Sequence, residues 1–464
     1  MRRIAAPLCV LALTACTVGP NYRPPAPAAL SVPATYYQRP AQAAPADLAR
    51  WWELLGDPLL TRLIDEATAN NLDLAVASAR LVQARESLVQ ARAGQLPTVG
   101  ATASAGRSFG PGNNHDSFSL GADAAWEADL FGGLRRGVQA ARADAEASYY
   151  DREAVRVSIA AELATNYVDA RLAQERLTIA RDTLAIADDD LQIATWRRQA
   201  GLVSSLDVEQ ARAARAQAAA AIPTIENSFA SASYRIAVLT GQAPGAVTAE
   251  LSIVKPIPKG PSEIAAGIPA DTLRQRPDVR AAERSLAAAT ARIGVAEAQL
   301  LPDLRLSGNI GTSAFSIGGL FNAITGGIFS SLTQTLFDGG RLRSQVRSQR
   351  AATEAALATY HQSVLTALED VENALNALRA ARAREAQFVI AQQAAADSAL
   401  LARTQYRSGL TDFQQLLEAE RTLLSARDGL ASSRGDEALA LVQLYRALGG
   451  GWNADAAPLT GTSS

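Results

Sequence analysis

Residues 405–421 read "QYRSGLTDFQQLLEAER", and residues 197–212 read "RRQAGLVSSLDVEQAR". In each, a long Ala/Leu/Arg-rich stretch with apolar residues at helical spacing stops at one glycine, Gly409 or Gly201. It resumes within a few residues, from about Asp412 or after Ser205. Glycine tolerates the positive φ by which a chain leaves a helix and turns back. Ser204 or Ser205, and Asp412, are suited to cap the returning helices. The two stretches predict two helical hairpins with tips 208 residues apart.

Moving outward from the tips, the rest of the chain is also written twice. "NLDLAVASARLVQARESLVQARAGQLPTVGATASAG" from Asn71 matches "RPDVRAAERSLAAATARIGVAEAQLLPDLRLSGNIG" from Arg276. Asp73 and Asp278, Pro97 and Pro302, and Gly106 and Gly311 are each 205 apart. "DLFGGLRR" at Asp129 follows in "TLFDGGRLR" at Thr335 at a spacing of 206. The slow drift is that of a duplication with a few single-residue insertions.

Each copy has the same order. A helix over about 72–95 or 278–300 stops before a proline, which disfavours helix in the residue preceding it. Two segments then alternate polar with small or apolar residues, as strands do. They cover about 98–108 and 117–130 in the first copy, and about 303–313 and 327–337 in the second. The Gly/Asn-rich "GPGNNHD" marks the first hairpin turn. Next comes a very long helix, 134–199 or 341–407, of roughly 100 Å at 1.5 Å per residue. A return helix, 206–239 or 412–448, completes each copy, and Pro223 is expected to kink or split the first. The organisation is therefore a signal stretch 1–15, a Pro/Ala-rich extended tether 16–46, a first repeat 47–241, a linker 242–267, a second repeat 268–451 and a tail 452–464.

The totals narrow the function. The 464 residues carry 44 basic and 46 acidic side chains, which leaves no electrostatic footprint for nucleic acid. Abundant alanine suits helices that approach closely. No uncharged apolar run is long enough for a membrane-spanning helix. His115, in the expected loop tip, and His361, alone in a helix, have no metal-ligand spacing. No nucleotide-binding glycine loop lies between strand and helix. An enzyme is thus a weak reading and no cofactor is expected. A periplasmic coiled-coil scaffold explains the helices but not the paired strands.

Both cysteines, Cys9 and Cys16, lie in the first sixteen residues, "MRRIAAPLCVLALTAC". Arg2 and Arg3 precede a short apolar run, the pattern of a secretory signal. "LTAC" resembles the bacterial lipobox, which implies acylation of Cys16 and removal of Cys9. Thr17, where an acidic residue would favour inner-membrane retention, implies the outer membrane.

Four short strands cannot close a barrel, yet only closed barrels span lipid as strands. Eight or so strands is the practical minimum. The chain must therefore borrow strands from copies of itself, and three copies supply twelve. Two hairpins per chain likewise give twelve helical staves.

The sequence resembles the TolC-like outer membrane efflux factors, in the lipoprotein (OprM/NodT-type) branch that serves resistance-nodulation-division pumps. The resemblance rests on "WWELLGDPLLTRLIDEATANNLDL" from Trp51, the long run from Ile268 through "RPDVRAAE", "LFDGGRLRSQV" from Leu336, and the tip at Gly409. It implies a mainly α protein with a transmembrane β-barrel. The family is a homotrimer whose twelve-stranded barrel continues into a twelve-stave α-helical barrel, with an equatorial domain around it. It also implies a passive exit duct in the outer membrane, reaching into the periplasm. A periplasmic adaptor and an inner-membrane pump feed it with drugs or other small toxic compounds. Metal ions and secreted polypeptides are the alternative cargoes.

The resemblance places a periplasmic constriction at Tyr406, Asp412, Gln414, Glu418 and Arg421, with Asp207 and Arg212 flanking the first tip. Glu418 and Arg421 stand three apart on one helix face and could pair. Three copies of Glu418 would form an acidic ring that favours cations. The other reading is ordinary solvated helix charge. Many relatives carry leucine where Gln414 stands, so the apolar part of the constriction is weaker or displaced. Gly201, Leu202, Ser205, Gly409 and Leu410 are the candidate adaptor-docking turns. Arg197 and Arg198 either complement a helix C-terminus or bind a neighbouring hairpin or adaptor. Trp126, Phe131, Phe329 and Phe337 form either an interfacial aromatic belt or packing at the strand-to-helix junction.

Overall fold

The computed structural model describes residues 17–38, 48–111, 114–261 and 269–455. The signal stretch, Cys16 and residues 39–47, 112–113, 262–268 and 456–464, which include parts of the expected tether, first hairpin loop, linker and tail, lie outside the described residues.

The elements, in chain order, are α1 (Pro58–Asn70), α2 (Leu72–Ala93), β1 (Thr98–Ser108), β2 (His115–Ala128), α3 (Gly133–Gln199) and α4 (Ser205–Leu239). Two short helices follow, α5 (Thr248–Leu251) and α6 (Pro269–Gln275). The second copy gives α7 (Pro277–Ala298), β3 (Asp303–Ala314), β4 (Thr325–Thr333), α8 (Arg341–Arg407) and α9 (Phe413–Ala447). The chain is mostly helical with one sheet. The duplication is kept in the lengths of the main helices: α2 and α7 are both 22 residues long, α3 and α8 both 67, and α4 and α9 both 35.

Some element ends differ from the sequence expectation for identifiable reasons. α2 and α7 stop at Ala93 and Ala298, two residues early. The chain tightens into i→i−3 bonds there, Leu96 N–H to the Ala93 carbonyl and Leu301 N–H to the Ala298 carbonyl, ahead of Pro97 and Pro302. β2 and β4 each begin two residues early, and β4 ends at Thr333, so Phe337 lies beyond the strand. α4 is not split at Pro223. That side chain is exposed, so its ring displaces no packing, and one missing N–H bond does not end a 35-residue helix. α1, which periodicity alone did not isolate, starts where Asp57 caps it and Pro58 takes the first turn; Asp57 Oδ1 accepts from the Leu59 N–H at 2.9 Å.

The chain divides into two compact units. One contains the described parts of 1–25, 79–149 and 281–362. Here the four strands form one antiparallel sheet in the order β1-β2-β3-β4. The hairpins of the two copies are joined through β2 and β3, from Phe118↔Ala314 to Ala128↔Leu304. β1 and β4 are the edges, with no further strand beside them among the described residues.

The start of the expected tether, residues 18–22, is held in this unit by hydrogen bonds. Val18 N–H donates to the Phe131 carbonyl at 3.0 Å. The Arg136 guanidinium donates to the Val18 and Gly19 carbonyls and to Asn21 Oδ1, at 2.9–3.0 Å. Gly294 makes room for this, since a Cβ there would stand 2.9 Å from the Val18 carbonyl oxygen. Tyr22 donates its hydroxyl to Glu283.

The other unit contains the described parts of 26–78, 150–280 and 363–464. Its main core brings Trp51, Trp52, Leu60, Leu63 and Ile64 against Leu163 and Tyr167 of α3, Ile236 of α4 and Leu441, Leu444 and Tyr445 of α9. Trp51 stacks on Tyr445, with ring centroids 5.2 Å apart. The "RPD" run is a strut. The Arg276 guanidinium donates to Asp278, to Asp370 of α8 at 2.9 Å and to the Ala447 carbonyl at the end of α9. Burial works against its charge, but the two carboxylates outweigh that and keep it protonated.

Candidate functional site: the paired hairpin tips

The tips are built by backbone geometry first. Gly201 (φ 73°) and Gly409 (φ 76°) adopt the left-handed conformation. Gly201 N–H bonds to the Arg198 carbonyl and Leu202 N–H to that of Arg197; Gly409 and Leu410 repeat this with Tyr406 and Gln405. These paired bonds are the Schellman closure of a helix end. The apolar residues that follow, Leu202 and Leu410, are 69% and 79% exposed, so each tip presents a leucine outward. Asp412 caps α9 by accepting from the Gln415 N–H at 2.9 Å. Ser204 holds the corresponding position for α4 but makes no side-chain cap; its hydroxyl goes to Asp207 Oδ1 at 3.2 Å. Ser205 is the first helical residue and exposed.

The two tips share a small core. Ala194 of α3, Val208 and Ala211 of α4, Ala402 and Tyr406 of α8, and Phe413, Leu416 and Leu417 of α9 pack together. Tyr406 is 1% exposed and lies 5.4 Å from the Phe413 ring. Arg197 places its guanidinium 4.4 Å from the Tyr406 ring centroid and donates to the Tyr406 carbonyl. Of the two readings for Arg197, the neighbouring hairpin is therefore its partner within the chain. Arg198 is exposed.

The other candidates fall on the surface. Asp412, Gln414, Glu418 and Arg421, with Gln210 and Gln217 of α4, line a polar groove of about 780 Å³. Glu418 and Arg421 form no ion pair with each other, and both side chains are exposed. Arg212 pairs with Glu209 at 3.0 Å on the solvent side, a contact worth little in water. The sequence reading missed a buried polar cluster behind the tip core. Asp190 of α3 is 2% exposed, and neither of its carboxylate oxygens has a donor among the described residues. It faces Glu420 of α9, which is paired with Arg403 of α8. Burial, and then Glu420, push the Asp190 carboxyl up to about 8 against the pull of Arg403. In sequence Asp190 ends the run "ADDD", which reads as a solvated face. Above this cluster, Arg176–Asp428 at 2.8 Å and Arg434–Glu175 at 3.2 Å tie α9 to α3.

In the sheet, the aromatics do not form one packed layer. Trp126 donates its indole N–H to the Gln95 carbonyl at 2.9 Å. Phe329 on β4 and Phe337 beyond it are exposed, Phe337 at 91%, whereas Phe131 is half-buried. His115 begins β2 rather than sitting in the loop, edge-on to Phe315 at 5.3 Å.

Comparison with known proteins agrees with this architecture. The model of the family "Outer membrane efflux protein" matches residues 63–242 and 268–450, the two copies in turn. Nodulation protein T of Rhizobium leguminosarum bv. trifolii is 31% identical, over 97% of this chain and 98% of that protein. The pyoverdine export outer membrane protein OpmQ of Pseudomonas putida is 34% identical over 96% of each. Among solved structures, the outer-membrane channel OprN superposes with a TM-score of 0.86 at 37% identity, covering 94% of this chain and all of that one. The open state of the Neisseria gonorrhoeae MtrE outer membrane channel gives 0.83 at 28% identity, over 95% and 99%. A duplicated strand-hairpin and helix-hairpin chain with these matches along its length belongs to the outer membrane efflux protein family, a family of channels rather than of enzymes, and is an efflux channel of the outer membrane that extends into the periplasm.

Proposed function

We propose that this chain is one third of a passive exit duct, completed by two further copies around a common axis. The observation that carries the reading is the four-stranded sheet with open edges at β1 and β4. Its strands expose Val99, Ile310, Ile328 and Leu332, and an unpaired edge has no stable place in lipid. Three copies paired β4 to β1 make a closed twelve-stranded barrel. The helical hairpins then form the periplasmic wall. The duct receives small toxic compounds from a periplasmic adaptor and an inner-membrane resistance-nodulation-division pump, which supplies the energy. Relatives described as an antibiotic efflux pump component and a toluene efflux pump component of Pseudomonas putida support that cargo class; OpmQ is named for pyoverdine export.

Within this reading, acylated Cys16 anchors the chain, and the docking of residues 18–22 fixes the anchor beside the start of α3. Glu418 and Arg421, with Asp412 and Gln414, line the constriction, with Tyr406 buried behind them. Leu202 and Leu410, with Gly201, Ser205 and Gly409, form the adaptor-docking surface. Native mass measurement of the detergent-solubilised protein is expected to give three chains, and planar bilayers a discrete conductance. A stable folded monomer without conductance removes the proposal. Glu418→Ala with Arg421→Ala is expected to raise resting conductance; an unchanged value takes both out of the gate. Cys16→Ala is expected to abolish labelling by radioactive palmitate.

A further inference from the structure

The polar cluster behind the tip core has no role in capping or in the groove, and its composition is unusual. Asp190 has two buried acceptor oxygens, and no N–H or O–H among the described residues donates to them. The charged and titratable groups around it are Asp189 on its own helix, Arg403 on α8, Glu420 on α9, and more distantly Tyr406 on α8. Arg403 pairs with Glu420 through Nη2, and its buried Nε–H meets no acceptor among the described residues, Asp190 included. An ionised Asp190 would therefore lie buried beside a second carboxylate with half a counter-charge, which is unfavourable. A protonated Asp190 becomes a donor, and Glu420 is the acceptor it faces.

We propose that Asp190 and Glu420 share a proton that latches the outgoing helix of the first hairpin to the return helix of the second, and that loss of this proton loosens the tips. The cluster lies eleven residues before Gly201, roughly 16 Å up the helix, so parting α3 from α9 there frees the Tyr406–Phe413 core below it. The direction of the pH effect follows from linkage. In the packed tip the Asp190 carboxyl is raised; in a parted, solvated tip it returns toward the usual carboxylate range. The packed state thus holds one more proton between those two values. Raising the pH through that window moves the balance toward the parted state by up to about tenfold per pH unit. Above about 8 both states have lost the proton and the effect levels off.

The latch deepens the reading of the tips as a gate, and its test separates the two. Spin labels on Ser205→Cys and Thr411→Cys in the full chain report tip spacing, while planar bilayers report conductance. The native cysteines, Cys9 and Cys16, lie far from both positions in sequence. Between pH 6 and 9 the tip distances are expected to lengthen or broaden. Infrared difference spectra are expected to lose a protonated carboxyl band over the same range. Asp190→Asn, whose amide still donates to Glu420, is expected to stay tight and pH-independent and to lack the band. Glu420→Gln supplies a second variant that also removes the step. Persistence of the wild-type pH response in Asp190→Asn, or absence of the protonated carboxyl at pH 6, overturns the latch. If spacing follows the proton but conductance does not, the latch stands and the gate reading falls.

Discussion

Tyr406 offers the sharpest test of how the tips are held. Its ring is fully buried, sits against Phe413 and lies under the Arg197 guanidinium, while its buried hydroxyl, beside Arg197, makes no well-formed hydrogen bond to any described residue. Its contribution should therefore come from the ring. Truncating a buried aromatic to alanine costs about 3–5 kcal/mol, which includes a cation–π share of about 0.5–2 kcal/mol. At about 1.4 kcal/mol per factor of ten, Tyr406→Ala shifts a two-state tip by roughly two to three and a half orders of magnitude toward the loosened form. Tyr406→Phe keeps the ring and removes a hydroxyl that makes no well-formed hydrogen bond to any described residue, so its effect stays within about 1 kcal/mol of either sign. Resting conductance in planar bilayers and helical melting by circular dichroism read the two variants side by side. The expectation is a leaky, less stable Tyr406→Ala beside a Tyr406→Phe that resembles the parent. If Tyr406→Phe opens the channel as far as Tyr406→Ala, the hydroxyl makes a bond that this packing lacks, and the reasoning fails.

Three other substitutions probe the frame. Gly409→Val forces a β-branched residue into the left-handed conformation and should cost about 1–2 kcal/mol; Gly409→Asn should recover most of it, as melting temperatures will show. Arg276→Ala leaves the Ala447 carbonyl and two carboxylates without their shared donor, and should destabilise the helical unit by about 3 kcal/mol. Arg276→Lys should rescue it poorly, because one ammonium cannot make the same fork. Pro223→Ala restores a helical N–H on an exposed face and should raise stability, by up to about 3 kcal/mol; a fall in melting temperature would mean that the proline shapes α4 to fit a neighbour.

The sequence by itself determined the duplication, the element types and the turns. These depend on local chemistry: glycine for positive φ at Gly201 and Gly409, proline after α2 and α7, helical spacing in the Ala-rich runs. It also marked "WWELLGDP" and "RPDVRAAE" as special without saying why. Tertiary structure supplied the reason, since Trp51 needs Tyr445 and Arg276 needs Asp370 and Ala447, partners far along the chain. Only packing decided the environment of the charges. Glu418 and Arg421 have pairing distance in sequence yet stay apart, because exposed side chains gain little from meeting in water. Asp190 looks like its solvated neighbours in "ADDD", but α8 and α9 close over it. A helix prescribes which way a side chain points; whether water or a second carboxylate waits there is settled by the helices that arrive later in the chain.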